Sequence, residues 1–283
     1  MALTAQALVG TSFAVLGALD RYPLALGQAP RYLAAVGLMM LVARRRLPRV
    51  GSRDVVRIAL IAASGLVAFN LLVQEGVTRS DAASVGVVVG CVPIALALLG
   101  PLQRGERPRA TLLLAGLVVA AGAAIVQGGG ARFTVAGVAL ALGAMACEAA
   151  FTLLAVPLLP RLGALGVSGW TCLAGAAMFA AWALADVGRW RAPDAGEVAS
   201  LAWLMAAVTV AAFLLWYRAV GRIGAERAGL FVGVVPVSAL VTQWMVGQGA
   251  PRAAQVAGVA LVAAGVTWGM RAAARPPRVV PPA

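Results

Sequence analysis

Ten apolar stretches take up most of the 283-residue chain, near 4–21, 30–43, 55–76, 81–102, 110–127, 134–156, 165–186, 198–218, 225–247 and 253–270. A bilayer core takes roughly 20 apolar residues per helix. Inside lipid the backbone must hydrogen-bond to itself, so each stretch is expected as a membrane-spanning α-helix. Ten helices and their joints leave no room for a soluble domain. The joints RRRLPRVGSRD, QRGERPR, QGGGAR, DVGRWRAPDAGE and GQGAPR have turn and breaker compositions. Hydrophobic residues make up 62% and charged residues 12%, against about half and about a quarter in soluble domains. The opening MALTAQALVGTSFAVLGAL lacks the basic start of a signal peptide and reads as the first membrane helix. Residues 271–283, RAAARPPRVVPPA, read as a basic, proline-rich, unstructured tail.

The net charge of +13 comes entirely from arginine, since lysine is absent. Most arginines sit at the ends of apolar runs, the positive-inside pattern of membrane proteins rather than a nucleic-acid stripe. With the N-terminus in the cytoplasm, the inside joints and tail hold Arg44, Arg45, Arg46, Arg49, Arg53, Arg57, Arg104, Arg107, Arg109, Arg161, Arg218, Arg222, Arg227, Arg271, Arg275 and Arg278. The outside joints hold fewer: Arg21, Arg31, Arg79, Arg132, Arg189, Arg191 and Arg252. Both termini are therefore expected in the cytoplasm. Without histidine there is no His-based zinc site and no Ser-His-Asp triad. Without lysine there is no Walker A loop and no Schiff-base chemistry. Cys91, Cys147 and Cys172 fall in apolar segments and read as small apolar side chains.

Residues 86–93, GVVVGCVP, return as GLFVGVVP at 229–236. Pro93 and Pro236 are 143 residues apart, about half the chain, and Pro108-Arg109 recurs as Pro251-Arg252 at the same offset. Each half holds five apolar stretches, an odd number, so the second half is expected to enter the membrane from the opposite side, an inverted repeat. Gly86 and Gly90, like Gly229 and Gly233, share one helix face and permit close helix packing. Each proline removes a backbone donor and should kink its helix, leaving a carbonyl partly free where a protein-lined or wet cavity must surround it. Kinks that serve packing alone are the plainer alternative.

Polar residues inside apolar stretches mark the candidate site. Glu148 is near the middle of the sixth stretch, where a carboxylate by default marks a functional site or ion path. Desolvation disfavours its charged form, which makes proton uptake and release a natural role; an interhelical hydrogen bond is the structural alternative. Asn70 and Gln74 lie one turn apart on the third stretch, and Trp216 and Tyr217 occupy the matching part of the eighth. Together they suit an uncharged or zwitterionic organic solute. Interhelical glue and an interfacial aromatic belt are the alternatives, which Gln243 and Trp244 share. Glu75, Asp81, Glu106 and Glu226 neighbour arginines near segment ends and are expected to be solvated or ion-paired.

With these residues the chain resembles the drug/metabolite transporter superfamily, specifically the EamA-type permeases of ten helices in two five-helix repeats. VGTSF at 9–13 is similar to the family's opening motif, with Val9 where tryptophan is usual, and Arg31 sits where the family often has arginine. Ala82 through Pro93 to GERP at 105–108, then Gly116 and Gly122, follows the family pattern, and AERAGLFVGVVP with AGVALVAAG forms a second copy. The second copy lacks the glutamate expected after its fourth helix, and Glu148 stands where many members carry an uncharged residue. The resemblance implies repeats at 1–129 and 130–270, with alternating access to a central cavity. Helices one to four and six to nine would line it, Ser12 with them, and helices five and ten would be peripheral. The expected function is secondary active transport, more naturally export, of an amino acid, metabolite or drug across a bacterial inner membrane. The expected partners are a small-molecule substrate, the lipid bilayer and a coupling proton, with no cofactor, metal or nucleic acid. An intramembrane lipid-modifying enzyme and a non-transporting membrane subunit are the rival readings.

Overall fold

The computed structural model describes residues 1–128, 131–247 and 249–274; the remainder of the expected tail, 275–283, lies outside the described residues. The regular structure is helical throughout this part: α1 (Ala2–Leu19), α2 (Leu24–Ala43), α3 (Ser52–Arg79), α4 (Ala82–Gln103), α5 (Ala110–Gln127), α6 (Val135–Ala155), α7 (Leu159–Ala185), α8 (Ala195–Ile223), α9 (Ala225–Met245) and α10 (Ala253–Ala274). Among the described residues, nine helical stretches are long and apolar enough to cross a bilayer. One of these, Val135–Ala185, is 51 residues long. At 1.5 Å per residue it would run about 75 Å, more than twice a hydrocarbon core. A 3-10 turn at Val156–Leu158 and non-helical Gly163, at φ 63° and ψ 176°, divide it into α6 and α7. The positive φ is a conformation glycine adopts without a Cβ clash. The protein is thus an all-helical, multi-pass membrane protein.

Side chains at the joints satisfy the exposed helix ends. Asp81 caps α4 by accepting from the Ser84 N–H at 2.7 Å, and its other oxygen accepts from the Arg132 N–H at 2.5 Å, tying the α3–α4 joint to the α5–α6 joint. These donors, Ser84 first, hold the Asp81 carboxyl below the usual carboxylate range. Thr134 caps α6 through the Gly137 N–H, and Asp194 and Glu197 form a capping box on α8. Glu75 pairs with Arg79, and Arg104 bridges Glu106 and Glu226.

Two features differ from the sequence expectation. Helix α2 begins at Leu24 rather than near residue 30, with Pro30 inside it, so Arg31 lies two turns into the membrane helix instead of at its outer end. In these first turns Gly27 packs against Tyr22 and against Leu201 of α8. The repeated strings, in turn, break the helices just before the prolines. In α4 the helical run stops at Val89 and restarts at Val92, so Pro93 stands in a first turn, where its missing N–H costs nothing. In α9 a 3-10 stretch, Leu230–Gly233, precedes the restart at Val234. The chain also widens into π turns at Ala63–Ala68 in α3 and Leu204–Ala211 in α8, which overlap at the 143-residue offset.

Packing between the halves follows the same offset. Helix α1 packs on α9 as α6 packs on α4, and α1 on α8 as α6 on α3. The corresponding pair α2 and α7 run antiparallel: Tyr32 stacks near Phe179, while Leu47 and Pro48 reach Gly169 and Gly166. The pair α5 and α10 does the same, with Ala115 against Gly269, Val119 against Gly265 and Gly122 against Gly258.

At the last contact the backbones almost touch. A Cβ on Gly258 would lie 2.8 Å from the Gly122 carbonyl oxygen, whereas one on Gly37 would meet nothing within 4 Å. Gly258→Ala should therefore destabilise the protein by about 1–3 kcal/mol through overpacking. Gly37→Ala should be neutral or stabilising by up to about 1 kcal/mol. Reversible denaturation in mixed micelles reads both.

Candidate functional site

Thr209 lies fourteen residues from either end of α8, Ala195–Ile223, and so at mid-depth in the bundle. It is completely buried. Its hydroxyl donates across the π turn to the Leu204 carbonyl at 3.0 Å and accepts from Arg31 Nε at 3.2 Å. The π turn leaves Thr209 Oγ1 a lone pair directed at the guanidinium, which fixes a cation in the middle of the protein. The guanidinium carbon is 4.7 Å from the centre of the Tyr32 ring, and Arg31 Nη2 lies 3.4 Å from the Tyr32 hydroxyl. Tyr32 continues into Phe179, at a ring separation of 6.0 Å, and Phe179 into Trp182, also 6.0 Å.

A second cluster joins α6 to α8. Trp216 Nε1 donates to Thr152 Oγ1 at 3.2 Å, and the Tyr217 hydroxyl donates to the Phe151 carbonyl at 3.3 Å. The Phe151 ring lies 5.3 Å from Phe213 and 5.4 Å from Tyr217. Glu148, three residues before Phe151, is half-buried and makes no ion pair among the described residues. Tyr32, Cys172 and Phe179 belong to the same buried apolar cluster as Phe151, Trp216 and Tyr217.

The other sequence candidates scatter around this centre. Trp216 and Tyr217 are buried between helices rather than set in an interfacial belt. Asn70 is half-buried and turns back on its own helix, its Nδ2 donating to the Leu66 carbonyl at 2.7 Å, while Gln74 is exposed and stands apart from the aromatics. Ser12 is buried and donates to the Val9 carbonyl at 2.7 Å. Pro93 is buried and Pro236 half-buried. Gln243 lies away from the centre, in a cavity of about 370 Å³ with Gln127, Arg252 and Gln255. A Cβ on Gly86 would strike Gln127, one on Gly90 would sit 3.7 Å from Ala123, and one on Gly233 would strike Val119, so all three glycines face α5; Gly229 faces Leu96 of α4. Trp244 is exposed.

Sequence reading omits Arg31, Thr209, Phe151 and Thr152 from the site. A cation one residue after a proline looked like a joint, and a threonine among Val and Ala carried no signal. The repeat offered one: Thr209 is the 143-residue counterpart of Leu66, inside the paired π turns.

This centre supplies a fixed cation, a carboxylate and two aromatic clusters, the means to hold a solute rather than to react with it. Among the described residues no group of three His, Cys, Asp or Glu could hold a metal. A multi-pass helical bundle of two matching halves is the architecture of many secondary transporters. The chain belongs to the EamA-like transporter family, whose profile matches residues 1–127 and again 135–270. It is 28% identical over 250 residues to the uncharacterized transporter YetK of Bacillus subtilis, across 84% of this chain and 76% of that protein. It is also 28% identical over 237 residues to the "Probable terminal-alkyne amino-acid exporter" of Streptantibioticus cattleyicolor, across 83% and 79%. One solved crystal structure superposes with a TM-score of 0.82 over 97% of both chains at 20% identity, a likeness of fold.

The buried contacts of α8 predict a graded series. Tyr217→Phe, which removes one hydrogen bond, should cost about 1 kcal/mol. Phe151→Ala, which empties the space between Phe213 and Tyr217, should cost about 3–5 kcal/mol. Chemical denaturation of the detergent-purified protein measures both.

Proposed function

We propose that this chain is a secondary active transporter that exports a small organic solute, such as an amino acid, metabolite or drug, across a bacterial inner membrane. Ten spans form two inverted repeats, 1–129 and 130–270, with both termini and the 271–283 tail in the cytoplasm. The single observation that carries the reading is the pair of charges inside membrane helices, Arg31 of α2 and Glu148 of α6, neither with an ionic partner among the described residues. Charges in a membrane are costly and persist where a pathway or ligand uses them. The antiparallel pairing of α2 with α7 and α5 with α10 supports inverted insertion, since each pair comprises corresponding helices. The amino-acid exporter among the relatives supports both direction and solute class.

Movement follows from the joints. Arg104 at the end of α4 and Glu226 at the start of α9 meet at 3.0 Å, and Arg161 pairs with Asp54. In the proposed orientation these ties close the cytoplasmic side, while Asp81 and Arg132 close the outer side. Alternating access exchanges one set for the other, with α4 and α9 flexing at their breaks before Pro93 and Pro236. Trp216, Tyr217, Asn70 and Ser12 border the path; Gln74 and Gln243 belong to its approaches. Glu148 takes up and releases the coupling proton.

Proteoliposomes containing only this chain test the reading. Outward-directed accumulation driven by an imposed pH gradient is expected for the wild type, and Glu148→Gln should abolish the response to the gradient while leaving solute exchange. Absence of any solute flux would point to a non-transporting subunit, and an undiminished gradient response in Glu148→Gln would remove Glu148 from coupling.

A further inference from the structure

The mid-depth guanidinium lacks a counter-charge. Helix α2, which carries Arg31, contains no Asp or Glu, and neither does α7, against which α2 packs. Helix α8 offers only Glu197, which is bound by Arg191 and lies twelve residues before Thr209, about 18 Å along the axis. Glu148 does not fill the place, for it forms no ion pair with Arg31 or any other cation among the described residues. Arg31 therefore has only neutral partners, Thr209 on Nε and Tyr32 beneath and beside it, and its Nη1 is unengaged among the described residues. A planar guanidinium fixed through Nε presents its remaining N–H groups as a fork suited to one carboxylate.

An acceptor stands beside it. Gln28 is one turn earlier on α2, and a long helical side chain at 31 leans back over that turn. Gln28 is 7% exposed, and its Oε1 is buried with no hydrogen-bond partner among the described residues. A buried, unpartnered amide oxygen is costly, and a donor brought by a ligand would satisfy it. The two side chains thus lack complementary things within one helical turn of each other, an anion and a donor. The Tyr32–Phe179–Trp182 aromatic series extends from the same place to receive an apolar remainder.

We propose that Arg31 and Gln28 form the substrate's headgroup site, Arg31 holding a carboxylate and Gln28 Oε1 an ammonium, so that the transported class is α-amino acids with an apolar or aromatic side chain. This rests on the transport reading above and narrows its solute class. Glu148 stays free for the proton.

The test is counterflow in proteoliposomes with three sets of labelled probes: the standard L-α-amino acids, their carboxamides, and ethidium as a cation without a carboxylate. The wild type should move apolar amino acids at least about a hundredfold faster than their carboxamides, the discrimination expected when a site built for a charged group meets an analogue lacking it. In Arg31→Gln the acid-to-amide ratio of the residual flux should fall to near one, whereas Arg31→Lys should keep a preference for acids at lower rate. Gln28→Leu should raise KM for amino acids about tenfold with little change for ethidium. A helix-bridging role alone would lower all fluxes together and leave the ratio unchanged, and that result overturns the proposal. Amides moving as fast as acids in the wild type overturn it as well, without need of a folded variant. Flux of ethidium with no amino-acid flux refutes the headgroup site but leaves the transporter; flux of none of the probe sets removes the transport reading and this inference with it.

Discussion

The hydrogen bond from Arg31 Nε to Thr209 Oγ1 joins the first half of the chain to the middle of the second. It holds a permanent charge where lipid would not tolerate one, and much else in the fold is arranged around that cost. The π turn at Leu204–Ala211 orients the threonine, the Tyr32 ring covers the cation, and α7 seals the far side with Phe179 and Cys172. A bundle built only to fill a membrane would place leucine at both positions. The retained charge is the observation from which the proposed solute path is argued.

Around this fixed centre the helices are of two kinds. Helices α5 and α10 meet backbone to backbone through Gly122 and Gly258, a contact that resists sliding because no side chain intervenes to readjust. Helices α4 and α9 are interrupted before their prolines, and their ends are joined through Arg104 and Glu226 rather than through apolar packing alone. A partly exposed ion pair contributes little to stability, which suits a contact that would form and break in the proposed cycle. The rigid pair and the broken pair together provide a frame and a moving part.

Much of this architecture was legible because lipid leaves so few options. An apolar run with no water to satisfy its backbone must be helix, so nearly every segment was found, and the offset between Pro93 and Pro236 exposed the repeat. The site was read less completely. Glu148 was visible as an isolated carboxylate, and Trp216 and Tyr217 as polar-tipped aromatics. Arg31 reads as the outer end of the second helix because Gln28 and Pro30 dilute the hydropathy of the first turns of α2. The helix packs there against Tyr22 and Leu201, tertiary contacts that local composition does not record. Asn70 and Gln74 both follow the π turn at Ala63–Ala68 and share a helix face, which that turn aims so that Asn70 bonds back to Leu66 and Gln74 is exposed. Nothing in the apolar sequence ASGLVA announces that turn.

The central physical idea is that corresponding halves enter the bilayer in opposite senses and close on one shared centre. Arg45 and Gly188 are counterparts at the repeat offset, and both are exposed in their joints. Single cysteines at these two positions, in a chain whose Cys91, Cys147 and Cys172 are replaced by alanine, can be labelled in sealed vesicles with a membrane-impermeant maleimide. Labelling of Arg45→Cys only from the cytoplasmic face and of Gly188→Cys only from the opposite face is the expected result. Labelling of both from one face would mean parallel halves and would contradict the account.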